Sequence, residues 1–193
     1  MLATLIRNLN SSLAPRRSIT TLVSSLVNMQ RKLDVTQPAV AGLLTGEVKE
    51  LCAMFLKQSY EIRLVGGCVR DMLTGRECKD IDLSTTARPE QMISMFKENG
   101  IRYIETGLQH GTLTVHQANQ DYEITTLRID VETFGRQARV EFTDDWTLDA
   151  ERRDLTFNAM SLDVEGCLYD YFGGEADLAV GKVYINIILN VNF

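Results

Sequence analysis

The chain has 193 residues, enough for one well-buried domain, and its 45% hydrophobic and 24% charged residues are typical of a globular protein. It contains no apolar run of the roughly 18 residues that a membrane helix needs, so we expect no membrane partner. The net charge is −6, yet five of the 20 basic residues and none of the 26 acidic ones lie in positions 1–33. The rest of the chain therefore lacks the basic excess of a stand-alone RNA binder.

The first 33 residues differ in composition from everything that follows. They are rich in Arg, Ser, Thr and Leu and contain no acidic residue before Asp34. This composition predicts a mitochondrial transit peptide, and the alternative is a disordered tail. Translation from Met29 would omit most of the leader and could supply a second, cytoplasmic or nuclear pool.

Hydrophobic periodicity and turn residues predict the elements of the remaining chain. In chain order, they predict a helix over 44–56, a strand at 61–65, a helix over 69–73, a strand at 80–84, a helix over 89–99, strands at 101–105, 112–117 and 122–127, a helix over 146–154 and a strand pair at 159–164 and 168–171. Residues 130–145 have weak periodicity and mixed charge, which predicts a mobile loop. The predicted fold is α/β (α+β), a small mixed sheet flanked by helices, over residues 44–178, followed by an atypical tail at 179–193.

Two acidic residues follow a glycine pair in the most informative part of the sequence. Asp80 and Asp82 are two positions apart, and residues so spaced on a strand project from the same face. Two like charges side by side repel each other, and a bound divalent cation is the usual compensation. A backbone turn at Gly66 and Gly67 can approach phosphates closely. The pattern predicts a Mg²⁺-dependent site that handles a nucleoside triphosphate.

Two segments together resemble a known family. They are LVGGCVRDMLTGRECKDIDLS at 64–84 and ERRDLTFNAM at 151–160. Their order and spacing are similar to the motifs of the nucleotidyltransferase superfamily, and within it of the class II CCA-adding enzymes, whose head domain is shared with bacterial-type poly(A) polymerases. The resemblance covers roughly residues 44–183.

The resemblance implies a Mg²⁺-dependent transfer of CMP and AMP from CTP and ATP to the 3′ end of a tRNA. It implies that three carboxylates bind the catalytic metal ions: Asp80, Asp82 and Glu123. It also implies the residues that contact the nucleotide: Gly66, Gly67, Arg70, Arg153, Asp154 and Asn158. Poly(A) polymerase is the nearest alternative among enzymes.

Several of these residues have a plainer interpretation. Glu123 could be a solvated strand residue, and Arg70 could pair with Asp71 on the surface. The arginines at 152 and 153 could belong to an ion network at a helix end.

The cysteines and histidines are expected to be structural. The four cysteines lack C-x-x-C spacing, so we expect neither zinc nor a disulfide framework and infer a reducing compartment. Cys68 is interpreted as a small residue in a tight turn rather than as a nucleophile. His110 and His116 are interpreted as structural residues.

The sequence departs from the family after Leu178. The family continues into a helical neck whose E-D-x-x-R motif selects C or A, and no such sequence occurs here. We therefore expect a truncated or alternative C-terminus that does not by itself support faithful C, C, A addition. The second hypothesis is accordingly a non-catalytic fragment that binds nucleotide and metal, or that pairs with a full-length subunit as a dimer.

Overall fold

The computed structural model describes residues 29–118, 120–134, 137–181 and 183. Within these ranges the chain forms six α-helices: α1 (Pro38–Leu43), α2 (Gly46–Lys57), α3 (Gly67–Leu73), α4 (Pro89–Glu98), α5 (Trp146–Glu151) and α6 (Gly174–Ala179). The same ranges contain ten strands: β1 (Gln30–Lys32), β2 (Ile62–Val65), β3 (Ile81–Thr85), β4 (Tyr103–Gly107), β5 (Thr112–Gln117), β6 (Gln120–Thr126), β7 (Arg128–Phe134), β8 (Gln137–Phe142), β9 (Ser161–Leu162) and β10 (Cys167–Tyr169). Short 3₁₀ helices cover Leu108–His110 and Thr156–Asn158.

Eight of the described strands form one mixed sheet in the order β1-β10-β9-β2-β3-β6-β5-β4. Strands β3 and β6 pair in parallel, and the other neighbours pair antiparallel. A parallel pairing requires a crossover connection, and residues 86–119 with helix α4 supply it. The predicted α/β class is confirmed, and β3 lies in the middle of the sheet.

The helices pack through the apolar positions that their spacing predicts. Helix α2 buries Val48, Leu51, Cys52 and Phe55, and Thr45 caps it by accepting a hydrogen bond from the amide of Val48 at 3.4 Å. Helix α4 has a proline in its first turn and buries two methionines and a phenylalanine. The described helices include none long and apolar enough to cross a membrane.

The loop predicted for 130–145 is wrong over most of its length. Strands β7 and β8 form a separate two-stranded antiparallel sheet, with Arg128 opposite Phe142 and a register shift between Asp130 and Glu132. Val131 in this hairpin is exposed, and residues 128–130 and 139–142, whose burial the structure also describes, are exposed or half-buried. Because strand residues that bury little surface need no alternation of apolar and polar side chains, the sequence shows weak periodicity here.

The N-terminal boundary of the domain also lies earlier than predicted. Residues 30–32, which the sequence assigned to the leader, form the edge strand β1 against β10, and Leu33 is buried in the core. The strand QRK is exposed throughout, so no apolar pattern marks it. Residues 1–28 of the predicted leader and residues 184–193 of the predicted tail lie outside the described residues.

The helix predicted over 146–154 ends at Glu151. Asp145 caps its first turn, accepting from the amide of Thr147 at 2.8 Å. The chain then turns, and residues 152–155 connect the helix to the 3₁₀ helix. This early end brings the second motif back towards the glycine turn.

Candidate nucleotide and metal site

The parallel pairing brings two of the predicted carboxylates together. Asp82 on β3 is the register partner of Glu123 on β6. The neighbours Ile81 and Leu83 are buried, as are Tyr122 and Ile124, so the two carboxylates project from the opposite, shared face of the sheet. Burial, followed by repulsion from Glu123, raises the pKa of Asp82, whereas the charge of Arg153 opposes that rise. The pair is therefore a concentration of negative charge that a cation would relieve.

Asp80 lies apart from this pair. The carboxylate strand begins at Ile81, one residue later than predicted, and Asp80 occupies the exposed bend before it. Asp80 also raises the pKa of Asp82, but less than Glu123 does. Across the part of the chain that the structure describes, no three His, Cys, Asp or Glu side chains stand close enough to hold a metal ion. Of the three carboxylates predicted from the sequence, Asp82 and Glu123 are neighbours, and Asp80 lies to one side of them, in the bend before the strand.

The glycine turn has a backbone that only glycine adopts readily. Gly66 has φ +70° and ψ −128°, and it connects β2 to α3. A Cβ atom at this position would lie 3.3 Å from Nη1 of Arg153. The missing side chain thus leaves room for a guanidinium from the second motif to lie against the turn.

Arg70 makes two side-chain hydrogen bonds, one to its neighbour Asp71 and one to the second motif. Its Nε donates to Oδ1 of Asp71 at 2.9 Å, so the alternative ion pair exists. Its Nη1 also donates to Oδ1 of Asn158 at 3.1 Å. Arg70 and Asp71 are both half-buried. Arg70 is held between two acceptors beside Gly67.

Arg153 joins the second motif to the carboxylate strand. Its Nη2 donates to Oγ of Ser84 at 3.3 Å and to Oδ2 of Asp149 at 3.2 Å, and its Nη1 donates to the carbonyl oxygen of Asn158 at 3.5 Å. Ser84 lies two positions beyond Asp82 and hence on the same face of β3. The guanidinium therefore lies between the glycine turn and the carboxylates, where a phosphate would meet it.

The sequence-based interpretation missed Asp149. Its side chain is 3% exposed and accepts from Arg152 Nε at 3.1 Å, from Arg153 and from the backbone amide of Arg128 at 3.1 Å. A helix-end ion network is thus present, with Asp149 rather than the adjacent Asp154 as its acceptor. The signal was available, because residues three and four positions apart meet on a helix.

The remaining predicted nucleotide residues differ in their surroundings. Asn158 is half-buried and bound to Arg70, as described above. Asp154 is exposed, and within the described ranges it makes no side-chain hydrogen bond or ion pair of its own. His110 ends a 3₁₀ helix and accepts a hydrogen bond from Arg128 through its backbone carbonyl, as suits a structural residue.

The assembled site combines two chemistries. Two carboxylates supply the hard oxygen ligands that Mg²⁺ prefers. Two guanidiniums, from Arg70 and Arg153, offer forked donors that suit phosphate oxygens. They flank a turn that a phosphate can approach closely. The arrangement can bind a metal-chelated polyphosphate.

The chain is similar in sequence to known proteins. Residues 62–184 match the sequence profile of the family described as the Poly A polymerase head domain. The human protein named CCA tRNA nucleotidyltransferase 1, mitochondrial, is 50% identical over 152 residues, which are 78% of this chain and 35% of that protein. The zebrafish protein of the same name is 46% identical over 176 residues, 91% of this chain and 40% of that protein.

A solved structure has the same fold. The Bacillus stearothermophilus CCA-adding enzyme, crystallised in complex with CTP, matches with a TM-score of 0.66 and 30% sequence identity, covering 78% of this chain and 34% of that chain. The present chain therefore spans about a third of the length of these relatives.

Proposed function

This chain belongs to the Poly A polymerase head-domain family, and from that premise we propose that it is the nucleotide-transfer head of a CCA-adding enzyme. In this role it transfers CMP and AMP from CTP and ATP to the 3′ end of a tRNA with the help of Mg²⁺. The names of the human and zebrafish relatives and the CTP complex of the bacterial enzyme support the proposal.

One structural observation carries the proposal. Asp82 and Glu123 are register partners on a shared face of the sheet, and the Arg153 guanidinium lies between them and the Gly66 turn. Carboxylate oxygens that suit a metal ion and guanidinium donors that suit a phosphate are thus brought together from distant parts of the chain. Glu123 is exposed, and its charge is still close enough to Asp82 to raise the pKa of that carboxyl.

Each residue has a distinct role in the proposed reaction. Asp82 and Glu123 would hold a divalent cation, and Asp80 would complete the set from the bend before the strand. When bound, the ion would supply the charge that lowers the pKa of the attacking 3′-hydroxyl and stabilises the leaving pyrophosphate. Arg70 and Arg153 bind the triphosphate, and Gly66 and Gly67 let it approach the backbone. Asp154 and Asn158 position the arginine or the ribose.

The donor set fits this cation. All three side chains offer only carboxylate oxygens, which suit a hard ion. Asp80 is exposed, so no core packing opposes its turning towards Asp82. A cation held beside Asp82 would oppose its repulsion from Glu123 and lower the pKa of Asp82.

The experiment is a pair of measurements on the whole chain. CTP and ATP binding is titrated with and without Mg²⁺, and transfer of labelled nucleotide is followed with a tRNA that lacks its 3′ CCA. Metal-dependent binding of both nucleotides with transfer supports the proposal. Use of ATP alone would indicate a poly(A) polymerase, and binding without transfer would indicate the non-catalytic fragment.

The variant Asp121→Asn is the matched control for the carboxylates. Asp121 lies two positions before Glu123 on the same face of β6 and is likewise exposed, but it pairs with His116 rather than facing Asp82. If the control lost nucleotide binding as fully as Glu123→Gln, general surface charge rather than the site would account for the binding.

A further inference from the structure

Two cysteines lie behind the glycine turn and the carboxylates, and the proposed reaction uses neither of them. Cys68 is in the first turn of α3, fully buried, with its Sγ donating to the carbonyl oxygen of Val65 at 3.2 Å and lying 3.7 Å from that of Asp82. Cys78 is only half-buried, and its Sγ donates to the carbonyl oxygen of Asp80 at 3.1 Å. Both thiols therefore contact the backbone of the carboxylate segment.

In that segment, the carbonyl oxygens that the two sulfurs contact belong to Asp80 and Asp82, two positions apart, and each thiol lies near enough to shift the pKa of the other. One belongs to the helix that carries Gly67 and Arg70, and the other lies two residues before Asp80. Residues 69–77 connect them, so a bond between the sulfurs would close a short loop across the proposed metal site. The other two cysteines, Cys52 and Cys167, share no such contact with them among the described residues.

We propose that Cys68 and Cys78 form a reversible disulfide in the presence of a peroxide, and that this bond displaces Asp80 and Asp82 and weakens metal-dependent nucleotide binding. The pair would make this chain sensitive to oxidants in an otherwise reducing compartment. The effect on nucleotide binding rests on the proposed function, whereas formation of the disulfide does not.

The chemistry is that of a two-cysteine redox pair. The accessible Cys78 sulfur attacks one oxygen of hydrogen peroxide, the O–O bond breaks, and Cys78 becomes a sulfenic acid while water is released. The Cys68 sulfur then attacks the Cys78 sulfur, the S–O bond breaks, and the expelled hydroxide takes up the Cys68 proton as a second water. Overall, two thiols lose two electrons and two protons, and the peroxide is reduced to two waters.

The consequence for the site follows from bond lengths. A covalent S–S bond draws the sulfurs closer than two unbonded thiols can lie. Cys68 is fixed in the core, so Cys78 must move, and with it the bend that carries Asp80. A misplacement of about 1 Å in a reacting group can lower a rate about 100-fold.

The test treats the whole chain with hydrogen peroxide, maps disulfide-linked peptides by mass spectrometry, and titrates CTP binding in Mg²⁺ before and after oxidation. The variants are Cys68→Ser and Cys78→Ser, with Cys167→Ser as the matched control because Cys167 is equally half-buried but lies on β10. We expect the native chain and the control to lose two thiols, to yield the 68–78 linkage and to bind CTP at least about tenfold more weakly until dithiothreitol is added. The other two variants should retain CTP binding in peroxide.

The outcomes separate the two proposals. Absence of the 68–78 linkage, or linkage to Cys167 or Cys52 instead, would overturn the redox pair. Linkage without any change in CTP binding by a chain that binds CTP when reduced would overturn the effect on the site. Linkage in a chain that binds no CTP even when reduced would contradict the proposed function and leave the redox pair standing.

Discussion

Arg70 donates a hydrogen bond from Nη1 to Oδ1 of Asn158 at 3.1 Å, across 88 positions of sequence. The bond links the helix that follows the glycine turn to the 3₁₀ helix of the second motif. It holds one guanidinium facing the same region as Arg153, which lies against Gly66. The two motifs of the sequence are therefore one site in the fold, and the predictions below test its parts.

Gly66→Ala should reduce nucleotide binding more than its effect on stability explains. The new Cβ would lie 3.3 Å from Arg153 Nη1 and force that guanidinium away from the turn. Gly75→Ala is the matched control, because Gly75 has a similar φ of +68° but no atom within 4 Å of a Cβ. Both should cost about 1 kcal/mol of stability from backbone strain, and only the first should weaken CTP binding, about tenfold or more. Equal binding by both variants would contradict the role of the turn.

Asp82→Asn should stabilise the metal-free protein at neutral pH. Burial and Glu123 raise the pKa of Asp82 above 3.8, and a group with a raised folded-state pKa favours folding at low pH and loses that contribution as the pH rises through its folded pKa. The neutral amide avoids this loss, so urea unfolding in EDTA should show a higher free energy of unfolding for the variant at pH 7. The difference should vanish below pH 3.8.

With Mg²⁺ added, the native chain rather than Asp82→Asn should have the higher free energy of unfolding. A ligand that binds only the folded state stabilises it, and the variant lacks a carboxylate to bind the ion. Nucleotide transfer by Asp82→Asn should fall by about two orders of magnitude or more. A variant that retained near-native transfer would show that Asp82 is not a metal ligand.

Arg70→Ala and Arg153→Ala should weaken CTP and ATP binding alike. In the proposed site each guanidinium contacts phosphates, which the two nucleotides share, rather than the base. Hydrogen bonds to charged groups contribute about 1.5–3 kcal/mol, which is a loss of about tenfold to 100-fold in affinity. Arg102→Ala, at an exposed position, is the control. An effect confined to one nucleotide would place the arginine at the base instead.

Asp149→Ala should lower the free energy of unfolding by about 3 kcal/mol, because it leaves two largely buried arginines without their acceptor. It should also weaken nucleotide binding, since Arg153 loses its anchor. Asp144→Ala removes a salt-bridge partner of Arg88 that is 73% exposed, and it should cost at most about 1 kcal/mol. If urea unfolding showed that the two variants lose similar amounts of unfolding free energy, burial of the Asp149 acceptor would not matter for stability.

Residues 1–28 should direct a fluorescent reporter to mitochondria. The segment is acid-free and rich in Arg, Ser and Thr, and the human and zebrafish relatives are named as mitochondrial. Replacing Arg7, Arg16 and Arg17 by Glu should abolish import, since positive charge is part of the signal. A native fusion that stayed diffuse in the cytosol would exclude the leader.

The local pattern of the sequence predicted most elements and which residues face the core. Alternation placed Ile81 and Leu83 inward and Asp82 outward, and the same held around Glu123. It failed for β1, which is exposed throughout, and for the β7–β8 hairpin, whose residues of described burial are exposed or half-buried. Apolar periodicity arises because one face of an element is buried, so elements that bury little of their surface show no such periodicity.

The sequence by itself determined the chemistry available to the protein: the glycine turn, the carboxylates and the arginines, each on a recognisable element. Only the tertiary structure decided which of them meet. The register that puts Glu123 beside Asp82, the bond from Arg70 to Asn158 and the hydrogen bond from the Arg128 amide to Asp149 join positions that are far apart in the chain. Such contacts depend on how whole elements pack against one another, and spacing along the chain carries no information about that packing.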